Sequence, residues 1–100
     1  MSEYFINMSF ELNDKNQLEN WKQLSKEIDE DICKADGFIS RDSGIDEDGR
    51  VYCLVKWQSK TQQQNFRKQL ESRPEWQQMM QHFGAIANME TASNKEIEIF

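Results

Sequence analysis

The sequence contains few of the residues from which easily recognised sites are built. Its 100 residues include one histidine, two cysteines, one proline and four glycines, and acidic residues outnumber basic ones by 18 to 12. A single histidine excludes a structural zinc cluster of the Cys2His2 type and leaves little for a Ser-His-Asp triad. The glycines are scattered singly, so there is no glycine-rich phosphate loop. The acidic excess argues against nucleic-acid binding, because phosphate contacts need clustered cations.

Long apolar runs are also missing. No run approaches the roughly 20 residues of a membrane-spanning helix, and the first residues lack the basic and apolar stretches of a secretory signal. Cys33 and Cys53 have neither metal-type nor redox-type spacing, which indicates reduced thiols. We therefore expect a single cytoplasmic domain over residues 1–100 that binds neither nucleic acid nor membrane.

The first half of the chain has a strand pattern followed by a helix pattern. Apolar residues alternate from Tyr4 to Leu12, which predicts a strand with one apolar face and one mixed face. Asn16 followed by Glu19 fits a capping box, so a helix should begin near residue 16. Its apolar stripe has spacings of three and four, and Gly37 stands where a C-terminal cap is needed. The stripe consists of Leu18, Trp21, Leu24, Ile28, Ile32 and Ala35.

The second half predicts a hairpin, two helical segments and further strands. Strands over residues 38–45 and 51–57 flank a turn with an Asp-Gly signature. Ser59 caps a helix to about Glu71, and a short helix after Pro74 should end at Gly84. A fourth strand over residues 85–92 and an edge piece over 95–100 complete the chain.

This order predicts an α+β fold of the ferredoxin-like βαββαβ class, with a four-stranded antiparallel sheet and two helices on one face. The other face would expose Phe5 and Asn7 together with apolar residues of the third strand, and such patches are uncommon on monomers. We therefore expect a homodimer whose sheets face each other. Residues 93–100 would form a C-terminal edge strand or an extension exchanged between subunits.

The element order, and the segment Val51-Tyr52-Cys53-Leu54-Val55-Lys56-Trp57-Gln58-Ser59 followed by a helix and a short aromatic helix, resemble the antibiotic biosynthesis monooxygenase family of dimeric α+β barrels. The resemblance implies a small cofactor-independent monooxygenase that uses oxygen to oxidise an aromatic or quinol-type molecule. A deprotonated phenol can reduce oxygen directly, so the protein need supply only a dry aromatic pocket and a few hydrogen bonds.

One branch of the family degrades haem and uses an asparagine, a tryptophan and a histidine. Asn7 matches the asparagine, whereas Phe66 stands at the tryptophan position. The histidine position falls near Met79 or Met80, with His82 a few residues later. Haem degradation is therefore a second alternative, with haem as the possible cofactor.

Asn7, Trp57 and His82 are the predicted catalytic residues, and each has a structural alternative. Asn7 could bind substrate or be bonded to a neighbouring side chain. Trp57 offers an indole N–H but also suits core packing. His82 alone has an ordinary pKa near neutrality, which suits a general base, although a lone histidine on a helix is more often a surface or packing residue.

Six further side chains are predicted to bind substrate. Arg41 could neutralise a phenolate or pair with a nearby acid, and the aromatic and methionine residues could form either a cavity wall or the core. The set is Phe5, Arg41, Tyr52, Phe66, Trp76 and Met80.

The negative charge is concentrated in residues 27–48, which hold nine carboxylates against two basic residues. The turn over residues 46–49 matches no calcium-loop spacing, so no metal site is predicted there. Two non-catalytic hypotheses remain open: a small-molecule-binding or regulatory barrel protein, and an accessory subunit that uses the acidic hairpin as its contact surface.

Overall fold

The apolar residues that alternate along the first strand form a central strand of the sheet. The computed structural model describes residues 2–100, and its elements follow the predicted order. The strands are β1 (Tyr4–Leu12), β2 (Phe38–Ile45), β3 (Arg50–Trp57) and β4 (Ala87–Glu98). The helices are α1 (Leu18–Ile32), α2 (Lys60–Glu71) and α3 (Trp76–Ile86).

The four strands form one antiparallel sheet in the order β2-β3-β1-β4. Helix-side residues of β1 and β3 pack against α1, α2 and α3, so all three helices cover one face of the sheet. We call the opposite face the open face. The predicted α+β ferredoxin-like architecture is confirmed.

Two aromatic clusters make up the core on the helix side. Phe10 lies edge-to-face with Trp21 and Phe83, at centroid distances of 4.9 and 5.3 Å. Trp57 packs against Phe38 at 5.9 Å and Phe66 at 5.4 Å. These rings come from the helices and from the strands, so their contacts hold the helices against the sheet.

The helix starts agree in part with the sequence. Ser59 caps α2 as predicted, because its hydroxyl accepts from the Gln62 N–H. The cap predicted at Asn16 is wrong: Asp14 accepts the Asn16 N–H at 2.9 Å and begins a short 3-10 turn that leads into α1. Both residue types cap well, and the earlier one, Asp14, lies two residues after the end of β1.

Two boundaries near the C-terminal end also differ from the prediction. Helix α3 continues through Gly84 to Ile86, because Phe83 and Ile86 on either side pack into the core and outweigh the roughly 1 kcal/mol cost of a helical glycine. The two predicted strand pieces are one strand, since β1 offers pairing partners as far as Tyr4↔Glu98. Residues 93–98 thus pair with β1 of their own chain.

The junction between α3 and β4 has no loop. Ile86 and Ala87 are both buried, and β4 begins at the residue that follows the helix. Asn13 holds this junction: its backbone N–H donates to the Ile86 carbonyl and its side-chain amide to the Gly84 carbonyl, both at 2.9 Å. None of the helices within residues 2–100 is long and apolar enough to cross a bilayer.

Candidate functional site

A cavity of about 400 Å³ lies between α1 and the hairpin formed by β2 and β3. Apolar side chains of both elements line it, and serines and charged groups stand among them. We call it the α1 cavity. Its lining residues include Trp21, Lys22, Ser25, Lys26, Asp29, Ser43, Ile45 and Val51.

Arg41 lies behind the end of the α1 cavity that Ser25 and Asp29 line, which we call its inner end. It points from β2 toward the helices, and its side chain is only 4% exposed. One guanidinium nitrogen, Nη1, donates to the Asp29 carboxylate at 2.7 Å and to the Ser25 hydroxyl at 2.8 Å. A buried guanidinium needs such partners, because its desolvation is costly. Ser25 and Asp29 stand one turn apart on α1, so the helix presents both to the same cation.

A chain of polar contacts connects Arg41 with the cavity wall. The Trp21 indole N–H donates to Ser43 Oγ at 3.3 Å, and that hydroxyl lies 3.7 Å from Cys53 Sγ. The second guanidinium nitrogen, Nη2, donates to the same sulfur at 3.6 Å. Burial raises the pKa of Cys53 despite the opposing effect of Arg41. The thiol therefore stays protonated near neutral pH and is not an activated nucleophile.

A second cavity, of about 350 Å³, lies on the open face beside the hairpin turn. Gly44 of β2 and Tyr52 of β3 pair across the two strands, and both residues line this cavity. The Tyr52 hydroxyl donates to Asp46 at 3.1 Å. The same carboxylate accepts from the backbone N–H groups of Asp48 and Arg50, both at 2.9 Å. This hairpin end is held by its own hydrogen bonds.

Those hydrogen bonds give the hairpin a defined pH response. The pKa of Asp46 is lowered, chiefly by the Arg50 N–H, so its stabilising effect is full above about 3.9 and is lost as the pH falls below that value. The pKa of Tyr52 is raised, chiefly by its hydrogen bond to Asp46, so its effect is present below about 10 and is lost at higher pH. We expect Asp46→Asn to lower the ionisation midpoint of Tyr52 in an ultraviolet titration. Glu47→Gln is the control, and an unchanged midpoint in Asp46→Asn would contradict the assignment.

The three predicted catalytic residues are not brought together. Asn7 lies on the open face, where its Oδ1 is buried and has no hydrogen-bond partner among residues 2–100. Trp57 is 2% exposed and belongs to the core on the other face. His82 is exposed on α3. Strand alternation explains the separation of the first two: Trp57 pairs with Tyr4 on the helix side, whereas Asn7 pairs with Leu54 on the open face.

The predicted substrate-binding residues are divided in the same way. Phe5 and Tyr52 lie on the open face, whereas Arg41 and Phe66 lie on the helix side. Trp76 and Met80 lie on α3, half-buried and exposed respectively. A pocket between sheet and helices therefore cannot contain Phe5, Asn7 or Tyr52, and Arg41 is the one member of the predicted set that adjoins the α1 cavity.

Several residues of the α1 cavity were not among the predicted site residues. Trp21, Ser25 and Asp29 follow one another at intervals of four on α1, and Ser43 follows Arg41 at the strand interval on β2. The sequence feature that could have indicated this site is the presence of polar residues on the face of each element that is expected to be apolar. Because buried polar groups need hydrogen-bond partners, polar residues on the inward face of α1 and on the inward face of β2 could have been predicted to contact each other.

A haem site of the predicted type does not fit the structure. Asn7 and His82 belong to opposite sides of the sheet, so they cannot face the same planar group. Within residues 2–100, no three histidine, cysteine or acidic side chains are grouped so as to hold a metal ion.

No protein-family model matches the sequence, and no curated protein matches it. Solved structures, in contrast, match over almost the whole chain. A conserved protein from Methanosarcina mazei has a TM-score of 0.78 at 10% identity, covering 100% of this chain and 95% of its own. A mutant of SnoaB, a cofactor-independent oxygenase from Streptomyces nogalater, has a TM-score of 0.73 at 12% identity, with coverages of 97% and 92%.

A third structure, a candidate antibiotic biosynthesis monooxygenase from Nitrosomonas europaea, has a TM-score of 0.76 at 9% identity, with coverages of 96% and 88%. At such identities the likeness establishes architecture only. The chain therefore has the fold of the antibiotic biosynthesis monooxygenase-like proteins, which confirms at the level of architecture the resemblance carried by its sequence.

Proposed function

We propose that the protein is a small cofactor-independent monooxygenase that oxidises an aromatic or quinol-type molecule in the α1 cavity. The observation that carries the proposal is this cavity, whose wall contains an indole and two serines and has the buried guanidinium of Arg41 behind Ser25. The fold shared with a cofactor-independent oxygenase supports it. A volume of about 400 Å³ lies within the usual range of roughly 300–1,000 Å³ for small-ligand sites.

The chemistry asks little of the protein. A deprotonated anthrone or quinol donates an electron to oxygen, and in an anthrone the radical pair then forms the new C–O bond. The ring CH2 group loses two hydrogens and gains one oxygen atom, while the second oxygen atom leaves as water. Four electrons thus pass from the anthrone to oxygen. A hydroquinone instead gives up two electrons and two protons, which leaves a quinone and hydrogen peroxide, so neither reaction needs a metal or flavin for its balance. The protein binds the substrate anion and limits the access of water.

Oxygen uptake tests the proposal. We expect protein treated with EDTA and free of flavin and haem absorbance to accelerate oxygen uptake with dithranol or a hydroquinone. Ile45→Trp places a large ring in the cavity wall and should lower the rate about tenfold or more, as expected when substrate positioning is lost. Ile39→Trp is the matched control, because Ile39 is a similarly exposed isoleucine of the same strand outside the cavity lining.

The result can also point elsewhere. Loss of uptake in Asn7→Ala or His82→Ala, with Ile45→Trp fully active, would move the reaction away from the α1 cavity. A Soret band on addition of haem would favour the haem-degrading alternative.

The separation of Asn7, Trp57 and His82 favours a second candidate, a binding or regulatory protein that catalyses no reaction. Tight binding of aromatic ligands without oxygen uptake would support it.

We further propose that a second copy of the chain covers the open face. One row of paired residues crosses this face from edge to edge: Asp42, Leu54, Asn7 and Lys95. The row begins with an anion and ends with a cation, and between them lie a leucine and an amide whose buried oxygen has no partner within residues 2–100. Phe5 and Ile97 add apolar surface in the adjacent row.

This row is self-complementary. A two-fold axis parallel to the strands would place β2 of each copy over β4 of the other, so Asp42 would face Lys95 of the second copy. An axis across the strands would instead place Asp42 over Asp42, which is unfavourable. The charge order therefore favours the first arrangement, in which the amide of Asn7 lies near the centre of the interface.

Charge reversal tests the interface. We expect the wild-type chain to sediment as a dimer at micromolar concentration. Asp42→Lys and Lys95→Asp should each weaken the dimer about tenfold or more, because each places like charges together, and the double variant should restore it. Glu27→Lys, an exposed change on α1, is the control. A wild-type monomer, or a double variant weaker than both single variants, would contradict the proposal.

A further inference from the structure

The net charge at the α1 cavity is positive, whereas the net charge of the whole chain is negative. The whole chain carries a formal charge of −6. At the cavity, Lys22 pairs with Glu19 at 3.4 Å and Arg41 pairs with Asp29 at 2.7 Å. Lys26 also lines the cavity and forms no ion pair within residues 2–100. The site therefore carries one net positive charge in a strongly acidic protein.

One hydrogen-bond donor lies in the wall of the cavity and another lies directly behind that wall. Ser43 is a lining residue, whereas Arg41 is not one but contacts the lining residues Ser25 and Asp29. Ser43 Oγ accepts the Trp21 indole N–H, which leaves the hydroxyl proton for the Cys53 sulfur at 3.7 Å or for a ligand. Nη2 of Arg41 has only the Cys53 sulfur as an acceptor within residues 2–100, and a thiol is a weak one. The better acceptors, Ser25 and Asp29, are taken by Nη1.

We propose that the inner end of the α1 cavity is an anion subsite that binds the deprotonated oxygen of an aromatic ligand, a carboxylate or a phenolate. Arg41 and Lys26 supply the countercharge, Ser43 donates a hydrogen bond, and the ring of the ligand lies against Trp21 and Ile45. This deepens the proposed function, because the same subsite would hold an oxygenase substrate in its reactive anionic form. It does not depend on that function, since a binding protein would use it equally.

Asp29 limits the affinity of the subsite. Its carboxylate is half-exposed and lines the cavity, so it competes with a ligand anion for Arg41. Neutralising it in Asp29→Asn should therefore strengthen anion binding several-fold. A purely structural ion pair would give the opposite result or no change.

A matched pair of ligands tests the subsite: 1-naphthoate and its neutral isostere 1-naphthamide, titrated at pH 7 by nuclear magnetic resonance. We expect naphthoate to bind at least tenfold more tightly and to move the indole N–H signal of Trp21 more than those of Trp57 and Trp76. Arg41→Gln should reduce the preference for the anion to about twofold, as expected for the loss of a charged hydrogen bond. Arg73→Gln is the control, because Arg73 forms a similar ion pair with Asp31, which does not line the cavity, whereas Asp29, the partner of Arg41, does.

Equal affinity for the two ligands would overturn the proposal, as would a preference that persists in Arg41→Gln or a shift confined to the other tryptophans. If thermal melting shows that Arg41→Gln does not fold, Lys26→Gln on the exposed rim replaces it, and there the preference should fall about threefold. Oxygen uptake plays no part in this test. An anion preference without uptake would therefore leave the subsite standing and remove the oxygenase.

Discussion

Replacement of Trp57 by alanine should lower the free energy of unfolding by about 3–5 kcal/mol, the usual cost of truncating a large buried aromatic residue. Trp57 is 2% exposed and packs against Phe38 and Phe66, so the truncation would leave a cavity between β3 and α2. Domains of this size have a total stability of only roughly 5–15 kcal/mol. We therefore expect the Trp57→Ala variant to be close to unfolding at 37 °C. Urea denaturation of the variant and of the wild-type chain measures the loss of stability.

Two further variants separate packing from catalysis at this position. Trp57→Phe keeps a ring in the cluster and should cost much less than the alanine variant. Trp76→Ala removes a tryptophan that is only half-buried, so its loss should also be smaller. A Trp57→Ala protein that remains stable but loses oxygen uptake would return Trp57 to the catalytic role suggested by its sequence position.

Replacement of Gly37 by alanine should cost about 2 kcal/mol or more. Gly37 has a φ of +85°, a conformation that costs other residues roughly 1–2 kcal/mol. An added Cβ would also lie 2.4 Å from the side-chain amide of Gln62. The residue cannot easily move away, because its carbonyl accepts the Gln58 N–H at 2.7 Å. The change should appear as a lower urea midpoint with an unchanged slope.

Gly49 provides the matched control. Its φ is +88°, but an added Cβ there would meet no atom within 4 Å. Gly49→Ala should therefore show the backbone cost alone, and the difference between the two variants measures the contact with Gln62. Gln62→Ala should recover part of that difference in the double variant, because it removes the nearest atoms. Equal losses at Gly37 and Gly49 would show that the contact relaxes at no cost.

The sequence predicted the elements of this fold better than their ends. Alternation from Tyr4 to Leu12 and the stripe beginning at Leu18 located β1 and α1, because each pattern reflects burial against one surface. The end of α3 was not predictable in this way. Whether a helix continues through Gly84 depends on how well Phe83 and Ile86 pack against distant residues, and local preference does not report that.

The candidate site was harder to predict than the fold. Residue types suggested Asn7, Trp57 and His82, but their grouping depends on which face each strand presents. Arg41 was among the predicted substrate-binding residues, whereas its partners Ser25 and Asp29 were not, since neither residue type is distinctive alone. A constellation of common polar residues becomes visible only when helix and strand lie side by side.

The loop-free junction between α3 and β4 has a consequence for motion. With Ile86 and Ala87 both buried and Asn13 bonded across them, neither element can shift without carrying the other. Helix and strand should then open together, as one cooperative unit that includes their pairing with β1. On the opposite side, side-chain hydrogen bonds of Arg41 and Ser43 join the hairpin to α1, without a buried helix–strand junction: β2 is a sheet edge, and its turn is exposed. The α1 cavity lies between α1 and the hairpin, so we expect any widening of it to move the hairpin and to leave the unit of α3 and β4 in place.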